Sequence, residues 1–373
     1  MRSIRLILVG GFLGAGKTTL LTQAASRLIQ QGKKVGIITN DQAAGLVDTG
    51  IVKRVSTGVR EVAGGCFCCR FGDLISSLKR LLADFNPDVI LAEPVGSCTD
   101  LSATVLQPLK KLYAEMLTVA PYSVLADPAR LGEALKADGT APSPAGALLP
   151  PSVHYIFRKQ LEEADLIVLN KADLLTKAEV RELEALVARR IPGRPVLAMS
   201  ALSEKEVDAW LARTLDGTKA GTTIAEVDYD TYAEGEAELG WLNATAEIRP
   251  GRGADMPGFC REFLLRMRDA LRAKSADIAH LKTLLDGGEG AITGNLTGLN
   301  AEPSVRGSVG GEPGGRLTLL VNARVHVAPE ALRATVERCL REAAGDKIAV
   351  EIRNMASFRP GRPEPTHRFD RIV

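Results

Sequence analysis

Three groups of residues in this chain have the type and spacing to do chemistry. Gly11-Phe12-Leu13-Gly14-Ala15-Gly16-Lys17-Thr18 fits G-x-x-x-x-G-K-[ST]. It follows an apolar run at residues 4–9 and opens an amphipathic segment, the strand-then-helix setting that gives the motif meaning. Gly11, Gly14 and Gly16 permit a tight loop whose amides, with that of Ala15, turn inward on phosphate oxygens. The helix start adds partial positive charge. Lys17 is expected at the β/γ-phosphates, Thr18 on Mg²⁺, and Thr19 beside them.

The second group is Asn170-Lys171-Ala172-Asp173, directly after the apolar run at residues 166–169. A carboxylate at Asp173 can accept from guanine N1–H and the 2-amino group, and adenine offers neither donor there. Ser200-Ala201, after the next run, is expected to bring a backbone amide near guanine O6. Between these motifs, Glu93 and Gly96 follow the run at residues 89–92. Glu93 is suited to hold Mg²⁺, directly or through water, and Gly96 to set its N–H against a γ-phosphate. Asn40-Asp41 competes as the metal-side acid. No Gln or His adjoins Gly96 in sequence to orient a water, so unaided GTP hydrolysis to GDP is expected to be slow.

The third group is Gly64-Gly65-Cys66-Phe67-Cys68-Cys69, three thiols within four residues. Three thiolates can fill three positions of a tetrahedral Zn²⁺ site and leave one for an exchangeable ligand. Buried small hydrophobes beside a Gly-Gly turn, or a redox dithiol, are the competing readings. A disulfide between the adjacent Cys68 and Cys69 would be strained. Cys98, Cys260 and Cys339 are most simply core residues, although Cys98 lies just past Gly96.

Positioning these groups requires alternating strands and helices. Apolar runs at residues 4–9, 35–39, 89–92, within 116–125, 166–169 and 196–199 alternate with amphipathic stretches. Strands buried on both faces read this way, so an α/β P-loop NTPase domain with a mainly parallel sheet is expected. Leu20, Leu21, Ala24, Ala25 and Leu28 share one face of the first helix, with Gly32 as its stop. Residues 138–152 read as a surface insertion and 215–223 as a linker. Beyond it, strands at 244–248, 291–296, 317–327 and 348–353 and helices within 258–285 and 329–344 give the order βαββαβ. This is the ferredoxin-like split of a smaller α+β domain. The expected domains are residues 1–222 and 223–373.

Composition narrows the class. At 373 residues with 45% hydrophobic content the chain can bury a sizeable core. A net charge of +2, no long basic runs and 4% aromatics give no case for nucleic-acid binding. No stretch of about 18 apolar residues is present, so no membrane span is expected. The apolar start runs straight into the phosphate motif, so removing it as a leader would discard the site. A cytoplasmic protein is expected, with its six cysteines as thiols or metal ligands.

Together these residues resemble the CobW-type GTPases, relatives of the maturation GTPases UreG and HypB. The resemblance rests on Gly10-Gly11-Phe12-Leu13-Gly14-Ala15-Gly16-Lys17-Thr18-Thr19-Leu20-Leu21, Glu61, the Gly-Gly-Cys-Phe-Cys-Cys run, Asp73-Leu74, Glu93 with Gly96, and residues 160–174. It covers roughly residues 1–210. It implies a GTP-dependent metal chaperone, mostly for zinc or cobalt, with Cys66, Cys68 and Cys69 as metal ligands coupled to the nucleotide. The implied partner is a client metalloprotein, and a nucleotide-dependent dimer is a further expectation. Pro94-Val95 stands where relatives carry hydroxyl residues, and Asn40-Asp41-Gln42 replaces their more usual Asn-Glu run. No His-rich stretch is present. Two other readings stay open: a GTPase chaperone that matures a cobalamin-dependent or other metalloenzyme without carrying a transferable metal, and a nucleotide-dependent kinase or ligase.

Overall fold

The computed structural model describes residues 4–41, 47–56, 58–136, 149–216, 219–310 and 314–373. The chain forms two units. One comprises Met1–Gln42, Ile51–Gly235 and Arg362–Val373; the other comprises Ala43–Gly50 and Glu236–Gly361. Contacts therefore place residues 362–373 with the first unit and residues 43–50 with the second, a division that no linear boundary at 222/223 describes.

In the first unit, β1 (Ile4–Gly11) leads through the phosphate motif into α1 (Lys17–Gln30), and β2 (Val35–Asp41) follows. Helix α2 (Val47–Lys53), whose residues 47–50 are counted with the second unit, β3 (Val59–Ala63), α3 (Phe71–Phe85) and β4 (Val89–Glu93) come next. After β4 a π-helical turn at Ser102–Leu106 runs into α4 (Gln107–Leu112), then β5 (Leu117–Val119), β6 (Ser123–Ala126) and α5 (Pro128–Lys136). Helix α6 (Pro151–Glu162), β7 (Leu166–Leu169), α7 (Lys177–Arg190), β8 (Val196–Ala198), α8 (Glu204–Asp216) and α9 (Tyr229–Ala237) complete the run. The sheet order is β3-β2-β4-β1-β6-β7-β8, every described pairing is parallel, and β5 also pairs with β1.

Strand β1 lies where the order changes direction, and ligands of open α/β sheets sit beyond the carboxyl ends at such a point. Helix α1 buries Leu20, Leu21, Ala24, Ala25 and Leu28, the face its periodicity predicts, and Gly32 follows at φ 78°. Each fully buried leucine contributes about 1.5–3 kcal/mol, enough to fix the helix start against β1. The structure adds β3, which the apolar-run reading passed over. Its burial is mixed because it is the edge strand, so it lacks a continuous hydrophobic signal. The run within 116–125 is two strands divided at Ala120–Tyr122 rather than one. Of the expected insertion at 138–152, residues 138–148 lie outside the described residues, and α6 already begins at Pro151.

In the second unit, β9 (Gly240–Pro250), α10 (Met256–Arg272), β10 (Ile278–Asp286), β11 (Ala291–Leu296), β12 (Ser304–Ser308), β13 (Leu317–Val325), α11 (Pro329–Ala344) and β14 (Ile348–Phe358) follow in order. The strands pair antiparallel as β12-β11-β10-β13-β9-β14. The four strands β14-β9-β13-β10 with α10 and α11 form the expected βαββαβ unit, and β11–β12 extends its edge. One assignment is corrected. The helical pattern of 258–285 ends at Arg272, and the second strand is β10, not β11. Ile278, Leu281, Leu284 and Leu285 mimic helical spacing because this interior strand is buried on both faces, so its alternation is hidden. Ser275, at φ 52°, turns the chain between the two elements.

Candidate nucleotide site and thiol cluster

The phosphate loop leaves β1 with Gly11, Gly14 and Gly16 at φ 124°, 80° and 94°. A Cβ on Gly16 would stand 2.3 Å from Asn170 Nδ2, so the loop and the guanine motif meet only because this residue is glycine. Lys17 is buried and donates from Nζ to the carbonyls of Gly11 (2.8 Å) and Phe12 (3.2 Å). Those carbonyls hold the ammonium at the mouth of the loop, where a phosphate oxygen would take their place. Thr18 Oγ1 donates to Glu93 Oε1 at 3.1 Å. The two residues expected to share Mg²⁺ are thus neighbours, although 75 positions separate them. A hydroxyl and a carboxylate are hard oxygen donors, the set this ion takes. Gly96 closes the third side: a Cβ there would lie 2.7 Å from Leu13 Cδ2 and 3.0 Å from Lys17 Nζ. Thr19 is exposed.

The base-selecting segment is built around Asn170. Its Nδ2 donates to the Ala15 carbonyl (2.7 Å), and its Oδ1 accepts from Ala201 N–H (2.9 Å). One buried side chain therefore fastens the phosphate loop to the loop after β8. Lys171, at φ 59°, pairs its ammonium with Asp127, which follows β6. Asp173 is exposed in the short helical turn Ala172–Leu174. In this arrangement the Ser200 amide donates to Glu206 (2.6 Å) and the Ala201 amide to Asn170, so neither points outward to a base.

The cysteine loop runs from Gly64 and Gly65, both at positive φ, into α3. The Sγ atoms of Cys66, Cys68 and Cys69 lie within 4.8 Å of one another, the one group of possible metal-ligating side chains of its kind among the described residues. Their separations are 2.7 Å (66–68), 3.2 Å (66–69) and 3.7 Å (68–69). A tetrahedral site with about 2.3 Å Zn–S bonds needs sulfurs about 3.8 Å apart, so small outward movements would seat a zinc ion. Hydrogen bonds from Cys68, Cys69 and Cys98 hold the Cys66 thiol well below its ordinary value. The same bonding to Cys66 pushes Cys68 well up and Cys69 up to about 11. Soft anionic sulfur is the donor that selects zinc-like ions.

Sequence reading missed three sets of supporting residues. Asn40, at the end of β2, donates to the carbonyls of Val62 (2.8 Å) and Gly65 (2.7 Å) and accepts from Phe67 N–H (2.8 Å). It shapes the cysteine loop. Gln160 on α6 donates to the carbonyls of Gly96 (2.9 Å) and Cys98 (2.8 Å). Residues 362–373 return across the cysteines: Glu364 N–H donates to Cys69 Sγ (3.2 Å), Thr366 N–H to the Cys68 carbonyl (2.9 Å), and the His367 ring meets Phe71 edge-on at 5.0 Å. Arg368 and the Tyr229 hydroxyl both donate to the fully buried Asp100, each at 2.7 Å. Asn40 carried only its place in the motif Asn40-Asp41, and the tail carried no sequence signal. Asp48 accepts from Lys282 (2.7 Å) in the second unit.

Comparison with known proteins finds a family and several relatives. Residues 5–198 match the family described as CobW/HypB/UreG, nucleotide-binding domain. The chain is 26% identical over 245 residues to a zinc chaperone CobW of Sinorhizobium sp., covering 62% of this chain and 67% of that protein. It is 28% identical over 184 residues to the zinc chaperone YeiR of Escherichia coli, covering 48% and 49%. The chain thus spans about half to two thirds of the length of these relatives. Among solved structures, the Zn(II)-bound YjiA GTPase from E. coli is similar at 17% identity and a TM-score of 0.37, over 91% of this chain and all of that one. HypB from Helicobacter pylori in complex with nickel aligns at 18% identity and a TM-score of 0.39, over 58% and 87%. No described helix is long and apolar enough to cross a membrane.

Proposed function

The chain belongs to the CobW/HypB/UreG family, and from that membership we propose that it is a GTP-hydrolysing metallochaperone whose cargo, zinc or cobalt, is held by Cys66, Cys68 and Cys69 and passed to a client metalloprotein. One observation carries the reading. A single structural unit holds a glycine loop with Lys17 and Thr18, a carboxylate at Glu93 within hydrogen-bonding reach of Thr18, and a buried three-thiol cluster. The zinc chaperone names of the relatives agree with it.

The residues would work as follows. Amides of the loop and Lys17 receive the β- and γ-phosphates, and Asp173 reads guanine. Thr18 and Glu93 would hold Mg²⁺, which neutralises charge developing on the phosphates. Gly96 lies close enough to Lys17 Nζ for its backbone to meet the γ-phosphate. Asn40 links β2 to the cysteine loop, so a shift of the β2 end on phosphate loss changes the thiol geometry and releases the cargo. The second unit selects the client, and action in the cytoplasm and a nucleotide-dependent dimer belong to the same reading.

The test is titration of zinc and cobalt into the full chain with GDP and with a non-hydrolysable GTP analogue. We expect one tight site whose affinity differs between the two states, with a coupling of about 1–3 kcal/mol. Changing all three cysteines to serine should abolish it. Equal affinity in both states would make the cluster a structural clamp and end the delivery mechanism.

A further inference from the structure

Cys98 is 1% exposed and sits on the loop between β4 and the π-helical turn, two residues past Gly96. Its thiol is hydrogen-bonded to those of Cys66 and Cys68. A tetrahedral thiolate site needs four donors, and the cysteine run of residues 66–69 supplies three. We propose that Cys98 is the fourth metal ligand, delivered to the cluster by the same loop that carries Gly96. This rests on the reading of Cys66, Cys68 and Cys69 as the cargo site.

Three features support the assignment. First, the donor is of the right softness: a fourth thiolate completes the all-sulfur set typical of closed zinc sites. Second, the loop is one mechanical piece. Cys98 N–H donates to the Val95 carbonyl at 3.0 Å, and Gln160 Nε2 holds the carbonyls of both Gly96 and Cys98. A displacement of Gly96 therefore carries Cys98 with it. Third, Cys98 approaches from a different segment than the cysteine run. Its sulfur is not among the set that all lie within 4.8 Å of one another, so closing on one ion requires the Cys98 loop and the cysteine run to draw together. The site would thus be four-coordinate through protein only when the Gly96 loop and the cysteine run are both in place. Contact of the γ-phosphate with Gly96 would then set whether the fourth thiolate reaches the ion, and linkage makes metal act back on GTP affinity by the same factor.

The experiment is X-ray absorption at the zinc edge on the full chain loaded with one equivalent of zinc, in the GDP form and with a non-hydrolysable GTP analogue. At least one state is expected to show four sulfurs at about 2.3 Å. In that state Cys98→Ser and Cys98→Ala should each reduce the count to three, and zinc affinity should fall about tenfold or more and lose its nucleotide dependence. The wild-type count does not rely on either variant folding. Three sulfurs in both wild-type states overturns the proposal, as does nucleotide dependence that survives in both variants. If wild type shows three sulfurs and Cys66→Ser lowers that count, the fourth-ligand assignment fails while the cargo site stands. If wild type binds no zinc through sulfur at all, the cargo reading itself has failed and this proposal with it.

Discussion

Asn170 shows how one buried amide can serve two loops. With Nδ2 on Ala15 and Oδ1 on Ala201, both its polar ends are used inside the protein. Asn170→Ala would leave a buried carbonyl and a buried N–H without partners, at about 1–3 kcal/mol each. We expect a lower thermal midpoint and weaker binding of GDP and ATP alike, measured by thermal unfolding and nucleotide competition. Asp173 should behave in the opposite way. It is exposed and makes no structural bridge, so Asp173→Asn should preserve the thermal midpoint. The GTP-over-ATP preference should shrink, because an amide can donate where the carboxylate only accepts. Equal competition of ATP and GTP in the wild-type chain would rule out Asp173 as the base selector.

At the scale of elements, the cysteine loop depends on contacts from β2 and from the returning residues 362–373. Asn40→Ala removes three hydrogen bonds to that loop without touching a thiol. Zinc affinity should drop by about 10–100-fold, as for other supports of metal ligands, while the zinc stoichiometry stays at one. Isothermal titration checks both, and unchanged affinity would mean the loop holds its shape alone. Much of this architecture was legible in sequence, because buried parallel strands read as plain apolar runs and the glycine motif marks the turn after β1. Residues such as Thr18 and Glu93 were identified by type and order, and the fold brings them together. The roles of Asn40 and Gln160 were not legible, since their work is done through backbone carbonyls, which leave no residue pattern. Strand β10 was hidden by burial on both faces, and edge strand β3 by the lack of it.

At the scale of the whole molecule, surface ion pairs tie the stability of the second unit to pH. There, Glu247 on β9 meets Arg353 at 2.7 Å and also pairs with Arg249. Hydrogen bonds from these guanidiniums hold its carboxyl down at about 2, below the ordinary glutamate value of about 4.3. The ion pairs therefore stabilise this unit above that ordinary value, and the contribution is lost as pH falls toward 2. Each unit has one tryptophan: Trp210 in α8 and Trp241 in β9. In a Trp210→Phe background, the Trp241 signal should report acid unfolding of the second unit. Glu247→Gln should flatten the pH dependence of its stability between about 4 and 2, and an unchanged slope would show that screening removes the effect.

Residues 362–373 bear on how the chain is made. They complete the first unit, yet they leave the ribosome only after Glu236–Gly361 have been translated. At about 5–20 residues per second, that stretch occupies on the order of ten seconds. During this interval the Cys69 sulfur lacks the Glu364 N–H, and the Cys68 carbonyl lacks Thr366. The nascent chain therefore presents an open thiol cluster before the finished protein covers it, a window in which cellular zinc or an oxidant can arrive first. Ribosome-bound chains stalled before residue 362 should be alkylated at Cys69 faster than the released protein, as mass spectrometry of the modified peptide would show. Equal rates would mean that these residues give the cluster no protection.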